Sequence, residues 1–129
     1  MPRPTHLSLA LMLATFAAAP AALAQAYPTK PVTIVVGYPA GGSTDLTGRT
    51  LGDALAKQLG VPVVIENLGG AGGAIGAQKV ASAAPDGHTL LLISSGTAVS
   101  QALFKSLPFD TLKAFTPVAP LATFEGVTA

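Results

Sequence analysis

Apolar runs alternating with glycine-rich breaks organise the chain from residue 32 onward. Val32-Thr33-Ile34-Val35-Val36 is nearly continuous in β-branched residues, as a strand buried on both faces requires. It runs into Gly37-Tyr38-Pro39-Ala40-Gly41-Gly42-Ser43-Thr44-Asp45, where proline and paired glycines exclude both strand and helix. Leu51, Leu55 and Leu59 then recur every four residues, with Gly48 and Ala54 beside them. That spacing predicts a helix over about 46–59, with Ser43, Thr44 or Asp45 as N-cap and Gly60 as its stop.

The pattern repeats. Residues 61–66 (VPVVIE) read as a second strand, and Asn67-Leu68-Gly69-Gly70-Ala71-Gly72-Gly73 as a glycine-rich loop. A short helix is expected over about 74–83, and Pro85-Asp86-Gly87 is a turn signal. Residues 89–93 (TLLLI) give a third strand ending in Ser94-Ser95-Gly96-Thr97, and a further short helix is expected over 98–104. Leu107-Pro108-Phe109-Asp110 is irregular. Phe115 to Leu121 carries Pro117 and Pro120, which suit an edge or crossover strand and not a central one.

Strand, helix, strand, helix, strand is the signature of an α/β fold with a parallel sheet. In such sheets ligands bind beyond the carboxyl ends of the strands. Here those ends carry Gly41 to Asp45, Gly69 to Gly73, and Ser94 to Thr97. The topology gathers all three on one edge, which makes Tyr38, Gly41, Gly42, Ser43, Thr44, Asp45, Ser94, Ser95 and Thr97 the candidate ligand-binding residues.

The N-terminus has a different character. Arg3 precedes an apolar run from Leu7 through Ala19, followed by Pro20 and Ala21-Ala22-Leu23-Ala24-Gln25-Ala26. This is the order of a secretory leader, with two A-x-A registers that predict cleavage after Ala24 or Ala26. The run is shorter than the roughly 20 apolar residues of a membrane span. The expected location is therefore the periplasm. Without Arg3, the remaining chain has six basic and six acidic residues. Nothing there has the clustered positive charge that nucleic acid or an anionic membrane surface calls for. Cysteine is absent, so disulfides, thiolate metal sites and a cysteine nucleophile are excluded. Neither a cofactor nor a metal is expected.

The loop chemistry admits two readings. A glycine-rich loop opening a helix exposes backbone N–H groups at the positive end of the helix dipole, ready for an anion. Gly41 and Gly42 would let that backbone approach, and Ser43 and Thr44 would add hydroxyl donors. Alternatively the glycines only make a tight turn and Asp45 only caps the helix. As a cap, the Asp45 carboxylate would face the helix amides; otherwise it could accept from a ligand amine or orient a water. The Gly69–Gly73 run has no G-x-x-x-x-G-K-[ST] order and is not a P-loop. Ser94, Ser95 and Thr97 could equally form a strand-end turn. His88 reads as a surface turn residue, Arg49 as a solvated helix residue with the alternative of reaching toward the first loop, and Lys57, Lys79, Lys105 and Lys113 as surface.

Five motifs in order resemble a known family: Tyr27-Pro28-Thr29-Lys30-Pro31-Val32; Pro39-Ala40-Gly41-Gly42-Ser43-Thr44-Asp45; Val63-Val64-Ile65-Glu66-Asn67 with Gly70-Ala71-Gly72-Gly73-Ala74-Ile75-Gly76; Ala84-Pro85-Asp86-Gly87-His88-Thr89-Leu90-Leu91; and Leu107-Pro108-Phe109-Asp110 through Phe115-Thr116-Pro117-Val118. Together they resemble the Bug family, the TctC-type receptors of tripartite tricarboxylate transporters. The resemblance implies a parallel-sheet, type II periplasmic-binding-protein fold of two domains, with the ligand cleft between them. It implies a small carboxylate ligand: a dicarboxylate, a tricarboxylate, an amino acid or an aromatic acid. The expected protein is monomeric and non-enzymatic and serves either transport, with the membrane subunits of the transporter as partners, or sensing.

The family's carboxylate-holding loop falls on Gly41, Gly42, Ser43, Thr44 and Asp45, and a second contact region on Ser94 to Thr97. Ala40 stands where a second proline is frequent, Leu68 where an arginine is frequent, and His88 where a tyrosine is usual. Family members run more than twice as far. The expected organisation is thus a leader at 1–26, the N-terminal part of a first α/β lobe at 27–116, and the start of the crossover to a second, largely missing lobe at 117–129. The competing readings are a Rossmann-type nucleotide-binding enzyme, with Glu66 as its ribose-binding acid, and a non-functional truncated product.

Overall fold

The computed structural model describes residues 27–103, 107–110 and 112–121. The expected leader at 1–26 lies outside the described residues, as do Phe104 and residues 122–129. Strand β1 spans Val32–Val36, helix α1 Ser43–Leu59, strand β2 Val63–Asn67, helix α2 Ala74–Ala81, strand β3 Thr89–Leu92 and helix α3 Ser95–Leu103. A 3₁₀ turn at Ala71–Gly73 leads into α2.

The three strands form one parallel sheet in the order β2-β1-β3. Val36, the last residue of β1, lies beside Asn67 of β2 and Leu92 of β3. The glycines of the helices show how the two faces are covered. A side chain at Gly48 of α1 would meet Val36, Leu92 and Ile65, whereas one at Gly76 of α2 would meet Val35. Neighbouring residues of a strand point to opposite faces, so α1 lies on one face of the sheet and α2 on the other. This is why β1 reads as a nearly continuous apolar run: Val32, Ile34, Val35 and Val36 are each at most 2% exposed, and only Thr33 is half-buried.

Helix α1 packs through a seam narrower than its leucine spacing predicts. Its buried residues are Asp45, Gly48 and Gly52. Leu51, Leu55 and Leu59 are only half-buried, and Ala54 is exposed. The two glycines let the helix axis come close to the sheet. A Cβ at Gly52 would sit 3.0 Å from Ile65 Cδ1, and one at Gly48 would sit 3.2 Å from Val36 Cγ2. The helix also begins three residues earlier than expected. Its N-cap is Gly42, with no side-chain cap, so Ser43, Thr44 and Asp45 are helical and none of them caps. Gly60 does stop the helix, at φ 70° with its N–H on the Ala56 carbonyl.

The other elements shift by smaller amounts. Strand β2 ends one residue late and includes Asn67. Helix α2 ends at Ala81, and α3 begins at Ser95, earlier than expected. The edge or crossover strand expected over Phe115–Leu121 does not form. Pro117 and Pro120 lack the N–H groups that a ladder needs, and Val118 is 81% exposed. Instead, Phe115 packs edge-on against Phe109, ring centroids 5.8 Å apart.

The end of the sheet opposite the three carboxyl-edge loops is fastened by a strap. The Tyr27 hydroxyl donates to the Gly87 carbonyl (2.7 Å), and Lys30 pairs with Asp86 (2.7 Å). His88 is not a surface turn residue. It is 8% exposed, with Nδ1 3.0 Å from the Asp86 carbonyl and Nε2 accepting from the Thr29 N–H at 3.3 Å. Those contacts assign the proton of a neutral ring to Nδ1. The Tyr27 ring lies against it, centroids 5.0 Å apart.

Candidate functional site

Three loops leave the carboxyl ends of the strands: Gly37–Gly42 after β1, Leu68–Gly73 after β2, and Ile93–Ser94 after β3. Their closeness begins in the backbone. A Cβ at Gly37 would stand 2.8 Å from the Gly73 Cα, so the first two loops come this close only because residue 37 is glycine. Tyr38 joins all three. Its hydroxyl accepts from Ser94 Oγ at 2.7 Å and faces the Gly72 carbonyl at 3.4 Å.

The second loop is tied to α3 by Ser100, which is 2% exposed. Its Oγ lies 2.9 Å from the Gly96 carbonyl, 3.1 Å from that of Gly72 and 3.2 Å from that of Ala71. Ala71 has φ 49°, a left-handed conformation that costs a non-glycine residue about 1–2 kcal/mol. The surrounding contacts therefore hold this turn in place.

Asp45 organises the first loop. Its side chain is 4% exposed, and both oxygens are engaged. Oδ2 accepts from the Gly41 N–H (2.8 Å) and from Arg49 Nε (3.0 Å), and Oδ1 accepts from Asn67 Nδ2 (3.0 Å). Because Asp45 is the third residue of α1, its carboxylate reaches back over the helix start, like the returning half of a capping box. The Arg49 hydrogen bond, then those from Gly41 and Asn67, lower its pKa from 3.8 to about 2. Arg49 is thus not simply solvated: it closes an i,i+4 ion pair and also donates to Asn67 Oδ1 at 3.2 Å.

The candidate residues therefore divide. Gly41 is exposed with φ 89°, and its amide is taken by Asp45. Gly42 and Ser43 are exposed and Thr44 is half-buried, at a helix start that no side chain caps. Ser95 is exposed in the first turn of α3. Tyr38 and Ser94 meet each other. Thr97 is 3% exposed and packs against Gly73. The orphan amides of the α1 start, with the Ser43 and Thr44 hydroxyls, offer donors to an anion.

Sequence reasoning missed Asn67, Ser100 and the role of Arg49. The four-residue spacing of Asp45 and Arg49 was the available signal for the last. A shallow recess of about 280 Å³ lies elsewhere, between α1 and β2, lined by Arg49, Gly52, Asp53, Val63 and Ile65. Among the described residues, no group of three or more His, Asp or Glu side chains is placed to hold a metal ion.

A parallel α/β lobe with small polar loops converging at its carboxyl edge defines a binding lobe of the periplasmic-binding-protein class. Residues 47–128 match the tripartite tricarboxylate transporter family receptor, TctC. The chain belongs to that family of periplasmic solute-binding proteins. It is 42% identical over 113 residues to Protein BugT of Bordetella pertussis, covering 86% of this chain and 35% of BugT. The fold matches MatC of Rhodopseudomonas palustris, solved with bound malate, with a TM-score of 0.70 and 48% identity; 74% of this chain and 33% of MatC are covered. It also matches an R. palustris protein solved with adipate, with a TM-score of 0.64 and 31% identity, covering 67% of this chain and 29% of the other. The chain spans about a third of the length of these relatives.

Proposed function

We propose that this chain forms the first wall of a periplasmic receptor site for a small carboxylate, delivered to the membrane subunits of a tripartite tricarboxylate-type transporter. The uncapped start of α1 carries the reading. It opens from a glycine loop at the carboxyl edge of the sheet, no side chain caps its first amides, and Ser43 is exposed and Thr44 half-buried beside them. A carboxylate placed there gains hydrogen bonds from charge-complementary donors. The malate and adipate bound to similar proteins are ligands of that chemistry.

In this reading Gly41, Gly42, Ser43 and Thr44 shape the wall, Tyr38, Ser94 and Ser95 flank it, and Asp45 holds the loop from behind. Both Asp45 oxygens are engaged within the lobe, so a ligand ammonium is not its partner. Thr97 acts through packing. Residues 1–26 direct export and are removed after Ala24 or Ala26. Residues 27–116 make the first lobe, 117–129 begin the crossover, and a second lobe supplies the facing wall. The receptor works as a monomer.

Calorimetric titration of the receptor with malate, adipate, an aromatic acid and ATP tests this reading. Binding of a carboxylate, weakened by Ser43→Ala and Thr44→Ala together, is the expected result. Binding of ATP with no response to any acid overturns it in favour of a nucleotide site.

A further inference from the structure

Asn67 ends β2 directly beside Val36, at the mouth of the first loop. Its carboxamide is used on every side. One N–H donates to the Tyr38 carbonyl (3.1 Å), the other to Asp45 Oδ1 (3.0 Å), and the carbonyl oxygen accepts from Arg49 (3.2 Å). Only one orientation of the amide satisfies this set. The flipped amide would aim its oxygen at two other oxygens and its NH2 at a guanidinium. The partners bracket the loop, with Tyr38 ahead of Gly41–Thr44 and Asp45 and Arg49 behind it. Asp45 then passes the connection on to the Gly41 amide. One side chain on a neighbouring strand thus grips both ends of the segment.

We propose that Asn67 is the positioning residue of the ligand loop, fixing the distance between Tyr38 and Asp45 and hence the direction in which Gly41–Thr44 present their donors. The assignment of a ligand to that loop rests on the carboxylate reading; the grip itself does not. Replacing Asn67 by Ala leaves the Tyr38 carbonyl and Asp45 Oδ1 without their donor. Replacing it by Asp keeps the shape but sets a carboxylate oxygen against Asp45. The charged groups facing position 67 are Asp45 and Arg49, both on α1, with Asp53 acting on Arg49 from one turn further along. Two carboxylates at that distance resist double ionisation, so one pKa rises and a shared proton can replace the lost N–H.

The test is amide hydrogen exchange, with Gly41 compared with Val35 and Val36 in the same sample. Asn67→Ala should lower Gly41 protection about tenfold, the scale of one unsatisfied buried hydrogen bond, while the β1 amides keep theirs. Asn67→Asp should lower it at neutral pH and regain it in acid, a recovery absent from Asn67→Ala. Equal loss at Gly41 and across β1, in either variant, overturns the proposal in favour of general support of the sheet. Unchanged Gly41 protection in both also overturns it. Malate and adipate titrations separate the two readings. A complete two-lobe receptor that takes neither of these nor an aromatic acid refutes the carboxylate reading, and Gly41 exchange still decides the grip. A wild type that binds malate while Asn67→Ala binds equally well refutes the role of Asn67 in the site.

Discussion

Gly37→Ala isolates the close approach of the first two loops. Gly37 is buried and precedes Tyr38; it is not among the positive-φ glycines, so alanine meets no conformational barrier there. Removing a glycine from the unfolded chain alone would stabilise by about 0.4–1 kcal/mol. Against this, the new Cβ falls 2.8 Å from the Gly73 Cα and 3.1 Å from the Gly73 carbonyl oxygen. Both are backbone, so a loop must move and no rotamer can give way. Overpacking of this kind costs about 1–3 kcal/mol. The clash outweighs the entropy gain at the middle of both ranges, leaving a net destabilisation of about 1.3 kcal/mol within limits of about 0–2.6 kcal/mol. At 4–8 °C per kcal/mol for a domain of this size, the middle value lowers Tm by roughly 5–10 °C. Urea denaturation followed by circular dichroism gives the free energy, and amide exchange at Gly72 and Gly73 shows whether the second loop absorbs the strain. A Gly37→Ala chain as stable as wild type, with unaltered exchange at Gly73, would refute the argument that backbone contact sets the loop spacing.

Gly52→Ala is the contrasting case: a helix-interior alanine gains about 1 kcal/mol, and the nearest obstacle is the flexible tip of Ile65 at 3.0 Å, so thermal melts should stay within about 1 kcal/mol of wild type. Asp45→Asn should fail where a simple cap would succeed, because one of the two engaged oxygens becomes a donor facing donors; Gly41 exchange should rise in both Asp45→Asn and Asp45→Ala, and protection retained in Asp45→Asn would contradict this. The Asp45 and Asp86 carboxyls are lowered from 3.8 to about 2, first by Arg49 and by Lys30 respectively. Their contribution is full above the unfolded value and disappears as pH falls through the folded one, so stability should decline from about pH 4 towards pH 2, and a urea series in which Asp45→Ala with Asp86→Ala leaves that decline unchanged would refute the assignment. His88→Phe should keep the ring packing on Tyr27 but lose the acceptor for Thr29, giving faster Thr29 exchange with little change at Val35.

The fold was legible in the sequence wherever burial is two-sided. Val32–Val36 could be bounded to the residue because helices cover both faces and four of its five positions are buried. The start of α1 was not, because the expected signal was a side-chain cap. The structure instead uses Gly42 and sends Asp45 back to Gly41, so Ser43 and Thr44 look like loop residues while being helical. The convergence of loops at the carboxyl edge follows from topology and was visible. The side chains that lock them were not. Asn67 and Ser100 act on partners distant in sequence, and neither residue type advertises that role. His88 was misread because a Pro-Asp-Gly turn suggests exposure, whereas Tyr27, far away in the chain, folds over the ring. The leucines of α1 overstated their burial because glycine, which periodicity counts as neutral, forms the contact seam.

The placement of β1 between β2 and β3 has a consequence for the order of assembly. The first strand to be synthesised acquires its second neighbour only when Thr89–Leu92 has been made. Parallel neighbours of this kind cannot be joined by a local hairpin, and pairings distant in sequence slow folding through the entropy of closing the intervening chain. The most apolar segment of the lobe therefore stays unpaired on one side until residue 92 has been made. The strand made earliest thus depends for its second edge on the segment made last among the three, so pairing of the whole sheet waits on the chain between Val36 and Thr89 being closed into one loop.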